Sequence, residues 1–190
     1  MGVDKIILKT FLTTLASIFA LIIFMIIGLC AVFPSTSMQI AYDMGMEASS
    51  IHFAERAYKD SHDIYFIAYA TEVAIEEDKS GKIISCGEKF IADEGFETYC
   101  ELKGESYEQF IYGQVCVSKY KKGSKEEAVT LAYESLQGAF PEGNALVAIL
   151  LTALRANDSS TVDMIKIKLN EISASGESGE YFQQMLALIK

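Results

Sequence analysis

Residues Thr10 to Phe33 read TFLTTLASIFALIIFMIIGLCAVF, a run of 24 residues without a charge, closed by Pro34. As a helix it would reach roughly 36 Å at about 1.5 Å per residue, enough to cross a hydrocarbon layer of about 30 Å with some tilt. The apolar core of a cleaved leader is shorter, about 7–15 residues, and is followed by small residues at the cut. Neither condition is met here, so an uncleaved transmembrane signal anchor is expected over residues 10–33. Thr13, Thr14 and Ser17 within it can bond back to helix carbonyls or face a partner helix.

The flanks give the anchor a direction. Lys5 and Lys9 precede the run, and the first basic residue after it is Arg56. Basic residues stay preferentially in the cytoplasm. Residues 1–9 are therefore expected in the cytoplasm, and residues 35–190 form a helical domain on the extracytoplasmic side.

That domain is acidic. The chain has 16 Lys+Arg against 26 Asp+Glu; residues 1–34 hold Lys5, Lys9 and Asp4, which leaves 14 basic and 25 acidic side chains, net −11. Such a surface repels phosphate backbones, which argues against nucleic-acid binding and against a polybasic attachment to lipid headgroups. Only two prolines occur. Scarce proline beside abundant Ala, Glu, Lys and Leu fits an all-α chain.

From Ser37 onward apolar residues recur at helical spacing, broken by Gly, Asp and Ser. Met38–Tyr42 begins a short helix that Gly45 ends. Ser49 and Ser50 are read as caps for the next, which carries Ile51, Ala54, Ala57 and Tyr58. Asp63 caps a third, rich in Tyr65, Phe66, Tyr69 and Val73, and a polar turn from Glu76 to Lys82 ends it. Residues 83–91 and a small segment at 94–102 follow. Residues 106–120 form a longer helix with Phe110, Ile111, Val115 and Cys116 read as its inner side. The turn Lys121-Lys122-Gly123 leads to Ser124, three residues before Glu127, a capping-box arrangement. That helix carries Ala128, Ala132 and Leu136 and stops near Gly138. Gly143-Asn144 opens an apolar helix over 145–156, and Asn157–Ser160 breaks the chain before an amphipathic helix over 162–172. A flexible stretch, 173–179, precedes a last helix over 181–189 that either caps the array or docks on a partner.

These helices pair at a spacing of roughly 34–40 residues, which suits a helical-hairpin solenoid. One unit resembles the tetratricopeptide (TPR) family. Tyr112-x-x-Val115-Cys116, then Gly123, Ala128, Ala132 and Leu136 before Pro141, alternate large and small residues at offsets similar to those of that repeat. Cys116 stands where Gly or Ala is usual, and Tyr112 where Trp is common. The resemblance implies an α-solenoid of TPR-like hairpins after the membrane helix. It also implies a concave groove, lined by the first helix of each pair, that holds a protein or peptide partner. Ala54, Ala57, Ala68, Ala128 and Ala132 are the candidate close contacts of the stack.

No catalytic constellation stands out, and no enzymatic activity is expected. His52 and His62 are ten residues apart, without the i, i+4 spacing of a metal-binding helix, and the glycines form no phosphate loop. Neither a metal nor a cofactor is expected. Cys86, Cys100 and Cys116 lack zinc spacing; they are read as small packed residues, with a Cys86–Cys100 bridge as the alternative. The candidate partner-binding residues are aromatic: Tyr58, Tyr65, Phe66, Tyr69, Tyr112 and Tyr120. Tyrosine tolerates half-burial with a wet hydroxyl, so these rings line either a groove or the inter-repeat core. The expected function is a membrane-anchored protein–protein interaction scaffold. The alternative is a small structural subunit that assembles through its transmembrane helix.

Overall fold

The apolar run folds as most of one long helix, α1 (Val3–Val32), in the computed structural model, which describes residues 3–137, 140–174 and 180–189. Among the described residues only the stretch Ile7–Ile26 is long and apolar enough to cross a membrane, and none of it is buried against the rest of the chain. Thr13 donates to the Lys9 carbonyl, Thr14 to Thr10 at 2.9 Å and Ser17 to Thr13 at 2.9 Å. Each hydroxyl is thereby satisfied within the helix.

Ten more helices follow, and no strand occurs among the described residues. They are α2 (Pro34–Asp43), α3 (Glu47–Ser61), α4 (Ile64–Glu76), α5 (Ser80–Ile91) and α6 (Phe96–Lys103). The second half comprises α7 (Tyr107–Lys121), α8 (Lys125–Glu134), α9 (Ala145–Arg155), α10 (Ser159–Ala174) and α11 (Glu180–Leu188). The fold is all-α.

Several boundaries follow from side chains that take up orphan helix N–H groups. Asp63 Oδ1 accepts from the Tyr65 N–H at 3.0 Å, and Asn144 Oδ1 accepts from the Val147 N–H at 3.1 Å. Asp158 serves α10, accepting the Thr161 hydroxyl at 2.7 Å and its N–H at 3.3 Å. Gly123 closes the α7–α8 turn at φ +93°, a conformation a side chain would strain.

Other boundaries depart from the sequence expectation. Pro34 does more than close the span: it occupies the first turn of α2, where its missing N–H costs nothing, so that helix starts before Met38. Helix α3 starts at Glu47, with Met46 as its cap, so Ser49 and Ser50 lie inside the first turn. Their N–H groups go to the Met46 carbonyl at 3.0 and 2.9 Å. The capping box at Ser124 is not made, because Glu127 turns instead to Lys119 at 3.1 Å. The stop at Gly138 and most of the 173–179 stretch lie outside the described residues.

Helices pack on their sequence neighbours: α2 on α3, α3 on α4, α4 on α5. Helix α5 then packs on α7, with α6 resting against α7 as an insertion. From there α7 meets both α8 and α9, and α8 meets both α9 and α10. Small residues permit the approach. A Cβ on Gly87 of α5 would stand 2.3 Å from a Val115 methyl, and one on Gly113 of α7 would stand 3.6 Å from the Ala148 Cβ. Ala54, Ala57, Ala68, Ala128 and Ala132 are all buried, as expected.

Two apolar cores result. The first gathers Ile51, Ile67, Ile83, Phe90, Ile111 and Val115; the second gathers Leu146, Ile149, Leu150, Ile165, Leu169 and Phe182. Tyr112 and Leu131 touch both, so the cores adjoin along α7 and α8. The terminal helix α11 sends Phe182 into the second core, edge-on to Phe140 at 5.2 Å.

Ala132 has no exposed surface. Ala132→Glu would bury an unpaired carboxylate at a close helix contact, at a cost of several kcal/mol, or on the order of 10 °C in Tm for a domain of this size. Thermal unfolding followed by far-UV circular dichroism checks it. An unchanged Tm would contradict this packing.

Candidate functional site: an aromatic row with open ends

The insertion α6 has the sequence FETYCELK, with Phe96, Tyr99 and Cys100 buried. Tyr99 and Lys103 are four positions apart, so both lie on one side of the helix. The Tyr99 ring meets Phe90 edge-on at 5.3 Å and Tyr65 of α4 edge-on at 5.4 Å. On its other side Tyr107 of α7 approaches at 6.2 Å, and Phe110 follows Tyr107 at 6.2 Å. A row of four rings, Tyr65–Tyr99–Tyr107–Phe110, therefore crosses three helices.

The ends of this row are open. Tyr65 is 65% exposed and Phe110 44% exposed. Phe110 was expected on the inner side of α7; the structure turns it outward. Helix α7 is gripped from two sides, by α5 and by α9, and buries Gln109, Ile111, Gly113, Val115, Cys116 and Ser118. Phe110 falls on the strip left over.

The centre of the row is charged and paired. Lys103 Nζ stands 5.4 Å from the Tyr99 ring centre and 5.6 Å from that of Tyr107, within cation–π range. The same ammonium donates to Glu72 of α4 at 2.9 Å, and the Tyr107 hydroxyl donates to the same carboxylate oxygen. The Glu72 hydrogen bond holds the Lys103 pKa above its ordinary value. Burial first, then the bond to Glu72, pushes the Tyr107 phenol up, and burial does the same for Tyr99. At neutral pH the lysine is a cation and both phenols keep their protons. The ammonium and the Tyr107 hydroxyl are thus taken up by Glu72, and the surface the row leaves open is that of the Tyr65 and Phe110 rings.

Of the six aromatic residues singled out in the sequence, only Tyr65 belongs to the row. Tyr58 of α3 packs on the first core and donates its hydroxyl to Asp93 at 2.6 Å, which pushes its pKa up to about 12. Tyr69 shares a 2.8 Å hydrogen bond with Ser50 and meets Tyr42 edge-on at 6.0 Å. Phe66 is half-buried on α4. Tyr112 wedges between the two cores, edge-on to Phe96 at 5.8 Å. Tyr120 donates to Asp158 at 3.0 Å, the carboxylate that Lys125 also meets at 2.7 Å. The Lys125 hydrogen bond, followed by that of Thr161, holds Asp158 well below the usual carboxylate range. Tyr58, Tyr69 and Tyr120 thus tie neighbouring segments together through their hydroxyls.

An open cleft of about 800 Å³ is lined mainly by α5, α8 and α10, with Leu131 and Met164 in its wall. Its Lys119 is held by Glu88 and by Glu127, and its Lys125 by Asp158. These cations are already satisfied within the chain, whereas the ends of the aromatic row present uncovered ring surface. Among the described residues no group of three His, Cys, Asp or Glu is arranged to hold a metal ion.

Cys86, Cys100 and Cys116 are buried free thiols, so the Cys86–Cys100 bridge is not formed. Burial pushes their pKa values up, to about 11 for Cys86 and about 12 for Cys100 and Cys116. Thiolate is the reactive form, and at pH 8 it is scarce at all three. A Cys30→Ala chain is expected to react with a disulfide-exchange dye only slowly at pH 8 and to release all three thiols once denatured. Rapid labelling of the native chain would contradict the burial of these side chains.

Comparison of the chain with protein-family models, with curated proteins and with solved structures returns no match.

Proposed function

We propose that the chain is a membrane-anchored interaction scaffold, whose TPR-like helical domain holds a protein or peptide partner on the extracytoplasmic side. One observation carries this reading: Tyr65 and Phe110 stand open at the two ends of a ring row that is braced in its middle by Lys103 and Glu72. Exposed aromatic surface on a rigid support is the kind of feature that dominates protein interfaces. The row runs over the first helices α4 and α7 of two successive pairs, the side on which a TPR-like stack presents its groove.

The packing order supports the TPR-like reading. Over α7–α10, taken as the two pairs α7/α8 and α9/α10, α7 touches α9, α8 touches α10, and α8 also touches α9. Such a ladder is what two stacked hairpins produce; among α2–α5 the packing runs chiefly between sequence neighbours. A partner with apolar or aromatic side chains suits the row, and basic groups suit a domain of net charge −11. The side of the membrane follows from Lys5 and Lys9 lying ahead of the span.

The alternative, a structural subunit held by its membrane helix, separates from this reading by mutation. In the full-length chain purified in mild detergent, Tyr65→Ala with Phe110→Ala is expected to weaken partner binding by about 10- to 100-fold. Helicity should be unchanged, because both side chains are exposed. Replacing Thr10–Phe33 by an unrelated apolar helix should leave the partner bound. Loss of the partner with the replaced span, and its retention by the double variant, would favour the membrane subunit.

A further inference from the structure

The end of the span runs into the start of the domain without a charge. Only Phe33 separates α1 from α2, and no charged residue occurs between Lys9 and Asp43. The uncharged stretch therefore continues through α2, well past the length that crossing a bilayer needs. Helix α2 is fixed to the domain on one side, where Ser37 and Ala41 are buried and Met38 packs on the first core. Its other side carries Phe33, Ile40 and Met44 at helical spacing, with Met46 in the turn that follows. Ile40 is 54% and Met44 68% exposed.

These side chains open onto a notch of about 550 Å³ that is also lined by Ile26 and Phe53. Phe33 closes the uncharged run Thr10–Phe33, and Ile26 lies about two helical turns before its end. If that run spans the membrane, the notch reaches from the bilayer boundary into the acyl region, and its apolar wall faces the lipid instead of water. The composition of the surroundings agrees. A domain of net charge −11 has no electrostatic reason to approach anionic headgroups, but α2 itself carries no charge before Asp43; its exposed polar side chains are the neutral Ser35, Thr36 and Gln39, which suit the headgroup level.

The geometry points to α2 and the α2–α3 turn as a bilayer-docking surface, with the notch between Ile26 and Met44 seating a lipid acyl chain. This rests on α1 crossing a membrane. Docking by α2 would lay the domain against the bilayer surface and fix its orientation, where a free linker would let it swing. Apolar faces of short interfacial helices bury in the headgroup and upper acyl region in this way.

The chain has no tryptophan, so a single introduced one reports alone. Ile40→Trp, Met44→Trp, Phe19→Trp and Leu102→Trp are made in the full chain and reconstituted in phosphatidylcholine vesicles. The acyl chains are brominated either near the carbonyl end or near the terminal methyl. Tryptophan at 40 and at 44 should emit blue-shifted light and be quenched several-fold, more strongly by the bromines near the carbonyl end. At 19 it should be quenched more strongly by the deep bromines, and at 102 it should not be quenched. Quenching at 19 without quenching at 40 or 44 would overturn the inference while leaving the span intact. Blue-shifted but unquenched emission at 40 and 44 would also overturn it, and would mean that a second copy covers the stripe. Absence of quenching at 19 would remove the span itself, and this inference with it.

Discussion

Helix α7 holds the domain together through close approach at small residues. On one side Val115 presses against Gly87 of α5 so tightly that no Cβ would fit there. On the other, Gly113 lets the backbone of α9 come near Ala145 and Ala148. Close packing of this kind is unforgiving, because interiors are filled to the density of organic crystals and cannot absorb an added methyl without displacement. It also makes α7 the element through which the two apolar cores adjoin. Gln109 contributes a polar fixing at the same place: its amide nitrogen donates to the Ser135 carbonyl at 2.8 Å, and its oxygen accepts the Ala145 N–H at 3.3 Å. One buried side chain thus joins α7 to the end of α8 and the start of α9, and its donor and acceptor are both used.

The candidate site depends on the same helix. With α5 on one side of α7 and α9 on the other, only a narrow strip of α7 is left outside, and Tyr107 and Phe110 occupy it. The short α6 then brings Tyr99 against that strip, and α4 supplies Tyr65 and Glu72. The row exists because an insertion interrupts the regular alternation of pairs. A simple repeat in which α5 led straight to α7 would have no Tyr99 and no Lys103 to bridge the rings.

How much of this was legible in the sequence can be judged from particular residues. Asp63, Asn144 and Asp158 mark helix starts because each side chain reaches a backbone N–H two or three residues ahead, a local event. Ser49 and Ser50 look equally suitable, but the α2–α3 turn puts the cap at Met46 and commits Ser50 to Tyr69, a residue nineteen positions away. The buried alanines were readable from their spacing. Phe110 was not, because its direction depends on α7 being gripped from two sides, which periodicity on one face does not encode. Tyr65 could be named as a candidate, yet its partners Tyr99, Tyr107 and Lys103 come together only through the placement of α6. No short-range pattern specifies that placement, although the density of aromatics between Phe90 and Tyr112 was a signal of it.

Hydrogen exchange along the full chain in lipid vesicles tests the central claim most directly, that the domain is one continuous stack built on α7. Amides of α7 should be the slowest to exchange, opening only with global unfolding, and the facing parts of α5 and α9 should share that protection. Termini such as α11 should open earlier. Fast exchange in α7, with α3–α5 and α8–α10 each protected at a separate level, would mean two independent units joined by a linker and would contradict the account.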